Sequence, residues 1–136
     1  MKHIRIIAAL LLSSLFATAQ SQEGKILDKR NLIVKEWNTD TRTKARVLDH
    51  VTTYNSAGKK IEEIEYRGNA QKWRKRFEYG PDGRVSREIL YDNLNHLVNF
   101  KKFEFNEYGK KKVQYTYDAK GRLITIKNFE YIAGDA

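Results

Sequence analysis

The residues of this chain that could do chemistry include three histidines, and their positions argue against a metal site. His50 lies in an alternating apolar and polar segment, His96 lies in a polar one, and His3 is close to the N-terminus. A protein metal site needs three or four clustered ligands. Cysteine is absent from the chain, so it offers neither a thiolate ligand nor a thiol nucleophile. We therefore predict no metal site and no cofactor.

The acidic residues could serve hydrolysis only if two of them faced each other across a cleft. Five glutamates fall in strand-like segments: Glu62, Glu63, Glu65, Glu88 and Glu104. They stand beside Lys or Arg in alternating positions, which is typical of solvated strands. The chain also has no nucleophile-elbow, zinc-protease or phosphate-loop motif. The sequence thus predicts a protein that is not an enzyme and has no catalytic residues.

Basic residues interleaved with aromatic ones are the remaining chemical signal. They occur at 72–77 (KWRKRF) and 110–115 (KKKVQY). Such segments can bind single-stranded nucleic acid or an acidic glycan. The candidate ligand-binding residues are Trp73, Arg74, Arg76, Lys110, Lys112 and Tyr115. Alternation along a strand supports a second interpretation, in which Trp73 and Phe77 pack in the core while Arg74 and Arg76 face solvent.

The N-terminus has the three parts of a secretory signal peptide. Lys2 and Arg5 precede an apolar run at 6–16, and small residues follow at 17–19. The run is shorter than the roughly 20 residues of a membrane-spanning helix, although a buried helix is an alternative. We predict cleavage after Ala19, no membrane insertion, and a location in the periplasm or outside the cell, which makes nucleic acid an unexpected partner. Loss of this segment would lower the formal net charge from +9 to +7.

The remaining length suits a single domain, and an aromatic content of 12% argues against disorder. Residues 20–44 are polar, with one short candidate strand at 31–37. The rest of the chain, 45–136, contains a repeat. Four segments share an aromatic residue, three further residues, a glycine and a basic residue; they begin at Tyr54, Tyr79, Phe105 and Tyr117.

The spacing of this repeat predicts antiparallel strands joined by tight turns. Aromatic residues recur at intervals of 12 to 14, at Tyr54, Tyr66, Tyr79, Tyr91, Phe105, Tyr117 and Tyr131. That interval fits one strand and one turn. Proline suits the first central position of a type I turn, and glycine suits the left-handed position that closes the hairpin. The structural turn residues are therefore Gly58, Pro81, Gly83, Gly109 and Gly121.

We predict an all-β protein, an antiparallel β-meander of seven or eight strands forming a curved single sheet or an incompletely closed barrel. The predicted strands are 31–37, 45–54, 59–66, 72–79, 84–91, 97–105, 110–117 and 122–131. Alternation places Trp73, Phe77 and Tyr79 on one face, and Val85 on a shared face with Ile89 and Tyr91. A three-residue loop at Gly83 would put Tyr79 opposite Val85 and Arg76 opposite Glu88. An aromatic face would need cover, by curling, by residues 20–44 or by a second copy in a homodimer.

The segments at 117–123 (YDAKGRL) and 77–85 (FEYGPDGRV) resemble the YD repeat of Rhs-type and wall-associated bacterial proteins. Looser matches at 54–61 and 105–111 lack the Asp after the aromatic residue. The chain is also similar to small exported bacterial proteins of unknown function. The resemblance implies strand–turn–strand architecture and brings no catalytic residue.

Two functions follow as expectations. The first is an exported, non-enzymatic structural or interaction module with a protein partner. The alternative is a protein that binds acidic glycans or other polyanions through its basic and aromatic strands. If the basic side chains converge on one concave surface, polyanion binding is favoured. If they are scattered among acidic residues, the interaction module is favoured.

Overall fold

The computed structural model describes residues 24–135, and these form one antiparallel sheet of eight strands. The predicted signal peptide, 1–19, lies outside the described residues. The strands are β1 (Ile33–Thr39), β2 (Arg46–Tyr54), β3 (Lys60–Arg67), β4 (Ala70–Tyr79), β5 (Val85–Tyr91), β6 (Leu97–Phe105), β7 (Lys111–Asp118) and β8 (Leu123–Asn128). Across 24–135 no helix is long and apolar enough to cross a bilayer.

The strands follow one another across the sheet in chain order, so the predicted all-β meander is confirmed. Each strand contacts only its neighbours in sequence, and β1 does not meet β8. The sheet is therefore not closed into a barrel. Most predicted strand ends are correct within one or two residues. The exception is β8, which ends at Asn128. β4 begins two residues early, at Ala70, because Gly68 and Asn69 both have positive φ and form a two-residue turn.

Every pair of neighbouring strands contains one register shift, and each shift falls immediately before an aromatic residue. These residues are Trp37, Tyr54, Tyr66, Tyr79, Tyr91, Phe105 and Tyr117. A shift of this kind is a β-bulge, in which two residues of one strand oppose one of its partner. The sequence predicted a bulge at the turns that a glycine closes and irregular register near residues 60–64 and 124–126, but not a bulge in every strand pair.

The bulge between β4 and β5 overturns two of the predicted relations. Tyr79 does pair with Val85, but Arg76 pairs with Ile89, and Glu88 pairs with Phe77. Val85 therefore does not share a face with Ile89 and Tyr91, because Ser86 is the extra residue that reverses the alternation beside the turn.

The turns repeat one local design. Asn55, Asp92, Asn106 and Asp118 each follow the aromatic residue and accept hydrogen bonds from two backbone N–H groups of their own turn. The glycine position has φ between 73° and 81° at Gly58, Gly83, Gly109 and Gly121, and Asn95 takes this position at 63°. The Asn residues of the looser repeats thus make the same contacts as the Asp residues.

Burial is slight throughout the sheet. Among residues 24–135 only Ile89, Val113, Thr52 and Gln114 are buried. The prediction of one aromatic face is wrong, because the bulges and the pairing place aromatic residues on both faces. Residues 24–31 are exposed, and of these Lys29 stacks on one ring, that of Tyr54, at the end of the sheet. The fold is a single layer, stabilised by its backbone ladder and by side chains that shield one another on each side.

Candidate functional site

The strand register defines two faces, which we name by their central residues. The Trp73 face carries, near its middle, Trp73, Lys75 and Phe77 of β4, Glu88 and Leu90 of β5, and Asn99 and Lys101 of β6. The Ile89 face carries Arg74 and Arg76 of β4, Ile89 and Tyr91 of β5, Phe100 and Lys102 of β6, and Tyr115 and Tyr117 of β7. Each face combines aromatic and charged side chains.

The Trp73 face has a shallow central depression of about 350 Å³. It is lined by Trp73, Lys75, Glu88, Leu90, Asn99 and Lys101. Lys75 Nζ lies 3.1 Å from Glu88 Oε1 and 5.3 Å from the Trp73 ring centroid. Lys101 has no acidic partner within ion-pair distance among the described residues. The depression therefore offers an aromatic ring, an aliphatic side chain and one available cation.

The Ile89 face is covered by cations stacked on rings. The guanidinium carbon of Arg74 lies 4.4 Å from the Tyr91 ring centroid, and that of Arg87 lies 4.3 Å from the Phe100 centroid. Phe100 in turn stacks on Tyr117 at 4.9 Å between centroids. Arginine lies flat on aromatic rings because the ring face is negative. These stacked cations shield the aromatic rings from water, although no second layer of the described structure covers this face.

A third arrangement, which we call the turn row, runs along one end of the sheet on the Trp73 face. Lys29 Nζ lies 5.5 Å from the Tyr54 ring centroid, Lys59 Nζ lies 5.0 Å from that of Tyr79, and the Arg84 guanidinium carbon lies 5.6 Å from that of Phe105. In each case the cation and the aromatic residue are at the same end of the sheet, and the cation comes from the chain segment that precedes the aromatic residue at that end.

The turn row also depends on the turn glycines. A methyl group added at Gly83 would lie 2.7 Å from Lys59 Nζ, and one at Gly109 would lie 2.9 Å from Arg84 Nη2. Lys110 is the next basic residue in this series. Successive members are two strands apart, which corresponds to roughly 9–10 Å.

The structure does not bring the sequence-predicted ligand-binding residues to one surface. Trp73 lies on the Trp73 face, whereas Arg74 and Arg76 lie on the Ile89 face. Tyr115 is also on the Ile89 face, but three strands away from β4, about 14 Å. Lys110 is in a turn, and Lys112 is the extra residue of the bulge between β6 and β7.

Ion pairs and stacking already occupy most basic residues near the two faces. Arg74 Nη1 lies 3.3 Å from Glu62 Oε2, and Lys72 Nζ lies 3.0 Å from Glu65 Oε1. The hydrogen bond from Lys72 is the largest cause of the lowered pKa of Glu65. Positive charge is therefore scattered among acids on both faces.

Each histidine in the described part of the chain pairs with one carboxylate. His50 Nδ1 lies 2.7 Å from Glu36 Oε2, and His96 Nδ1 lies 3.4 Å from Asp92 Oδ2. Within 24–135 no three His, Asp or Glu side chains converge as metal ligands would. The hydrogen bond that Tyr115 donates to Glu104 raises the pKa of the Tyr115 phenol.

Lys59, Arg84 and the lining residues Leu90, Asn99 and Lys101 were not selected from the sequence. The repeat did show a basic residue after each turn glycine. Its contact with an aromatic residue one repeat later could not be read from local spacing, because it depends on the placement of two turns side by side.

Comparison with models of known protein families and with curated proteins finds no match to this chain. The resemblance to the YD repeat therefore stays a prediction carried by the motif residues alone.

Proposed function

We propose that this protein is an exported, non-enzymatic interaction module that presents its open sheet to a protein partner. The observation that supports this best is the single-layer sheet with only four buried residues in 24–135 and aromatic side chains on both faces. Such a sheet offers a broad surface in proportion to its mass. Charge scattered among acids favours this function over a dedicated polyanion cleft.

The depression on the Trp73 face is the proposed centre of contact. Interface hot spots combine aromatic anchors with surrounding polar groups and lie in pockets that exclude water on binding. Trp73 and Leu90 supply the apolar part, and Lys101 supplies a charge that has no ion-pair partner among residues 24–135. A partner with an aromatic or aliphatic anchor beside a carboxylate would fit.

Cross-linking in the exported compartment tests this proposal. We expect the wild-type chain to give discrete cross-linked complexes and the Trp73→Ala/Lys101→Glu variant to lose most of them. Arg76→Glu is the matched control, since Arg76 is an exposed cation on the other face of the same strand. Equal recovery of complexes from all three chains would exclude the depression as the contact.

Polyanion binding is the second candidate function, and the turn row is the specific observation in its favour. Lys59, Arg84 and Lys110 lie at one end of the sheet at regular intervals of two strands. An extended acidic glycan could follow that row and meet one cation at each step. The interaction would be strongly salt dependent, because surface charges are screened beyond about 10 Å at 0.1 M salt.

Retention on heparin tests this second function. Lys110→Ala, which removes one cation of the turn row, should lower the salt concentration at which the protein elutes. Lys120→Ala, at the opposite end of the sheet, should change it much less. No retention of the wild type at low salt would remove the polyanion function, and equal shifts in both variants would reduce it to unspecific charge attraction.

Export belongs to the same proposal and has a direct test. Mass spectrometry of the protein recovered from the periplasm or medium should show a chain that begins at Gln20. Recovery of the chain with Met1 intact in the cytoplasm would contradict it.

A further inference from the structure

The edge strand β8 is the least protected part of the described chain. All six of its residues are exposed, and three of them are large and apolar: Leu123 at 48%, Ile124 at 59% and Ile126 at 53%. It carries a single charge, Lys127. An exposed apolar edge strand with unpaired backbone groups is a template for another strand, and proteins ordinarily protect such edges.

The segment after β8 does not protect it. Phe129 N donates a hydrogen bond to the Lys112 carbonyl, and the Tyr131 hydroxyl donates one to the Lys111 carbonyl at 2.6 Å. Both acceptors are on β7, so this segment continues alongside β7 in the direction of β8, and neither contact lies on the free edge of β8.

The opposite edge is better defended. β1 carries Lys35 and Glu36 side by side. Its one aromatic residue, Trp37, is 43% exposed and carries Arg46 on its ring, with the guanidinium carbon 4.3 Å from the ring centroid. Charges at an edge oppose pairing with another strand, so the two edges of this sheet are not equivalent.

The sequence of β8 is complementary to itself. In an antiparallel pair of two β8 strands centred on Thr125, Ile124 of each copy lies opposite Ile126 of the other. The two Lys127 residues are then four positions apart along the pair, roughly 13 Å. No like charges face each other, and apolar cross-strand pairs of this kind are stabilising.

We propose that two copies of this chain associate through β8 in a two-fold antiparallel strand pair, which extends the sheet to sixteen strands. Two-fold contacts are closed and self-limiting, whereas a β8-to-β1 contact would propagate into fibres. On the Ile89 face the pair joins Leu123 and Ile126 of both copies to Tyr115 and Tyr117, which pair with them from β7. The protein would then be a dimer with both β1 edges at its outer ends.

Sedimentation equilibrium of the full chain over a range of concentrations tests the dimer. The wild type should show a monomer–dimer equilibrium, and Ile126→Lys should shift it to monomer by at least tenfold in dissociation constant. Ile33→Lys, an exposed apolar residue of β1, is the matched control and should dimerise normally. All three chains keep the N-terminal apolar run, so a difference between their dissociation constants is caused by the substituted strand.

A cysteine placed on the two-fold axis gives a second measurement. The chain has no natural cysteine, and directly opposed residues in an antiparallel pair have Cβ atoms about 4.5–5.5 Å apart, close to the range that a disulfide spans. Thr125→Cys should therefore cross-link to a covalent dimer under mild oxidation. Thr39→Cys, on β1, should remain monomeric under the same conditions.

Three outcomes would overturn the proposal. A wild-type monomer at all concentrations excludes association of any kind. Loss of dimers in both Ile126→Lys and Ile33→Lys, with open-ended oligomers in the wild type, indicates a β8-to-β1 contact. Dimers that persist in Ile126→Lys place the interface elsewhere. Far-UV circular dichroism of each variant checks that the sheet is intact, and the heparin and cross-linking tests of function do not depend on β8.

Discussion

At the scale of single residues, the turns are specified by two positions. In four turns the residue after the aromatic accepts two backbone N–H groups, and the residue three positions later adopts a left-handed conformation. In the turn after Tyr79 the first position is Gly80, and the Asp82 carboxylate accepts the N–H of Arg84 instead. Asn and Asp both perform the first task, and Gly or Asn performs the second. The short sequence Asp92-Asn93-Leu94-Asn95 therefore forms the same turn as the glycine-containing repeats.

The turn glycines differ in what surrounds them, which gives a prediction on stability. Gly121→Ala should cost about 1–2 kcal/mol, the ordinary penalty for a left-handed alanine, because nothing lies within 4 Å of the added methyl group. Gly83→Ala should cost more, since the methyl group must also displace Lys59 from Tyr79. Urea unfolding of the two variants measures the difference, and equal losses would show that the Lys59 contact contributes nothing.

The turn carboxylates predict a dependence of stability on pH. Backbone N–H donors of the turn, led by that of Arg122, hold the pKa of Asp118 below its ordinary value of 3.8. A lowered pKa in the folded state stabilises the protein above the unfolded value, and this contribution is lost as the pH falls through the folded one.

Exchange of Asp and Asn at equivalent turns isolates this effect. Asp118→Asn should lose stability less steeply than the wild type below about pH 4, and Asn106→Asp should lose it more steeply. The free energy of unfolding measured from pH 7 down to pH 2 decides the matter. If the stability of all three chains depends on pH in the same way, the turn carboxylates are not the cause of the pH dependence.

At the scale of strands, the turn of one hairpin is coupled to the aromatic residue of the next. The Tyr79 hydroxyl donates a hydrogen bond to the Lys60 carbonyl at 2.6 Å, and burial is the largest cause of the raised pKa of Tyr79. Tyr131 makes the same contact to Lys111, so the arrangement recurs at the end of the sheet.

Removal of one hydroxyl group tests that coupling. Tyr79→Phe should destabilise the protein by about 1 kcal/mol, the typical net value of one hydrogen bond. Tyr108→Phe is the control, because Tyr108 is an aromatic turn residue that is 79% exposed. Thermal unfolding measures both, and a Tyr79→Phe variant as stable as the control would contradict the coupling.

The strands, the turns and the open meander could be predicted because the repeat signals them locally. Registers and faces could not. Each bulge moves one residue out of alternation next to the turn, and the sequence signals for a strand do not say which of its two strands carries the extra residue. Because the extra residue of the bulge was not predicted, the pairing of Arg76 with Ile89 and the position of Val85 on the Trp73 face were not predicted either. The depression was missed for a related reason, since its six residues come from three strands.

At the scale of the whole molecule, the sheet is nearly one-dimensional. Each strand depends on its two neighbours only, and no central core is shared by all eight. Such proteins behave as a sum of repeat stabilities and interfaces between adjacent repeats.

Deletion of a complete repeat should therefore be tolerated. Removal of residues 80–105 joins Tyr79 to Asn106 and recreates the aromatic, three residues, glycine and basic residue at the junction. We expect a folded six-stranded sheet with a smaller urea m-value, because less surface is exposed on unfolding. Removal of 80–92 alone would require β4 and β6 to run parallel through a short loop, and it should not fold. A six-stranded variant that fails to fold would contradict this modular description.

The strand order has one more consequence, for the way in which the chain is made. A chain that crosses a membrane or leaves the ribosome emerges from its N-terminus, and here every strand pairs with the one that emerged just before it. No early segment has to wait for a distant one, so the growing sheet can add strands one at a time, with little loop entropy lost at each addition. Of the eight described strands β8 emerges last, so its exposed apolar edge forms only after the other seven strands are in place.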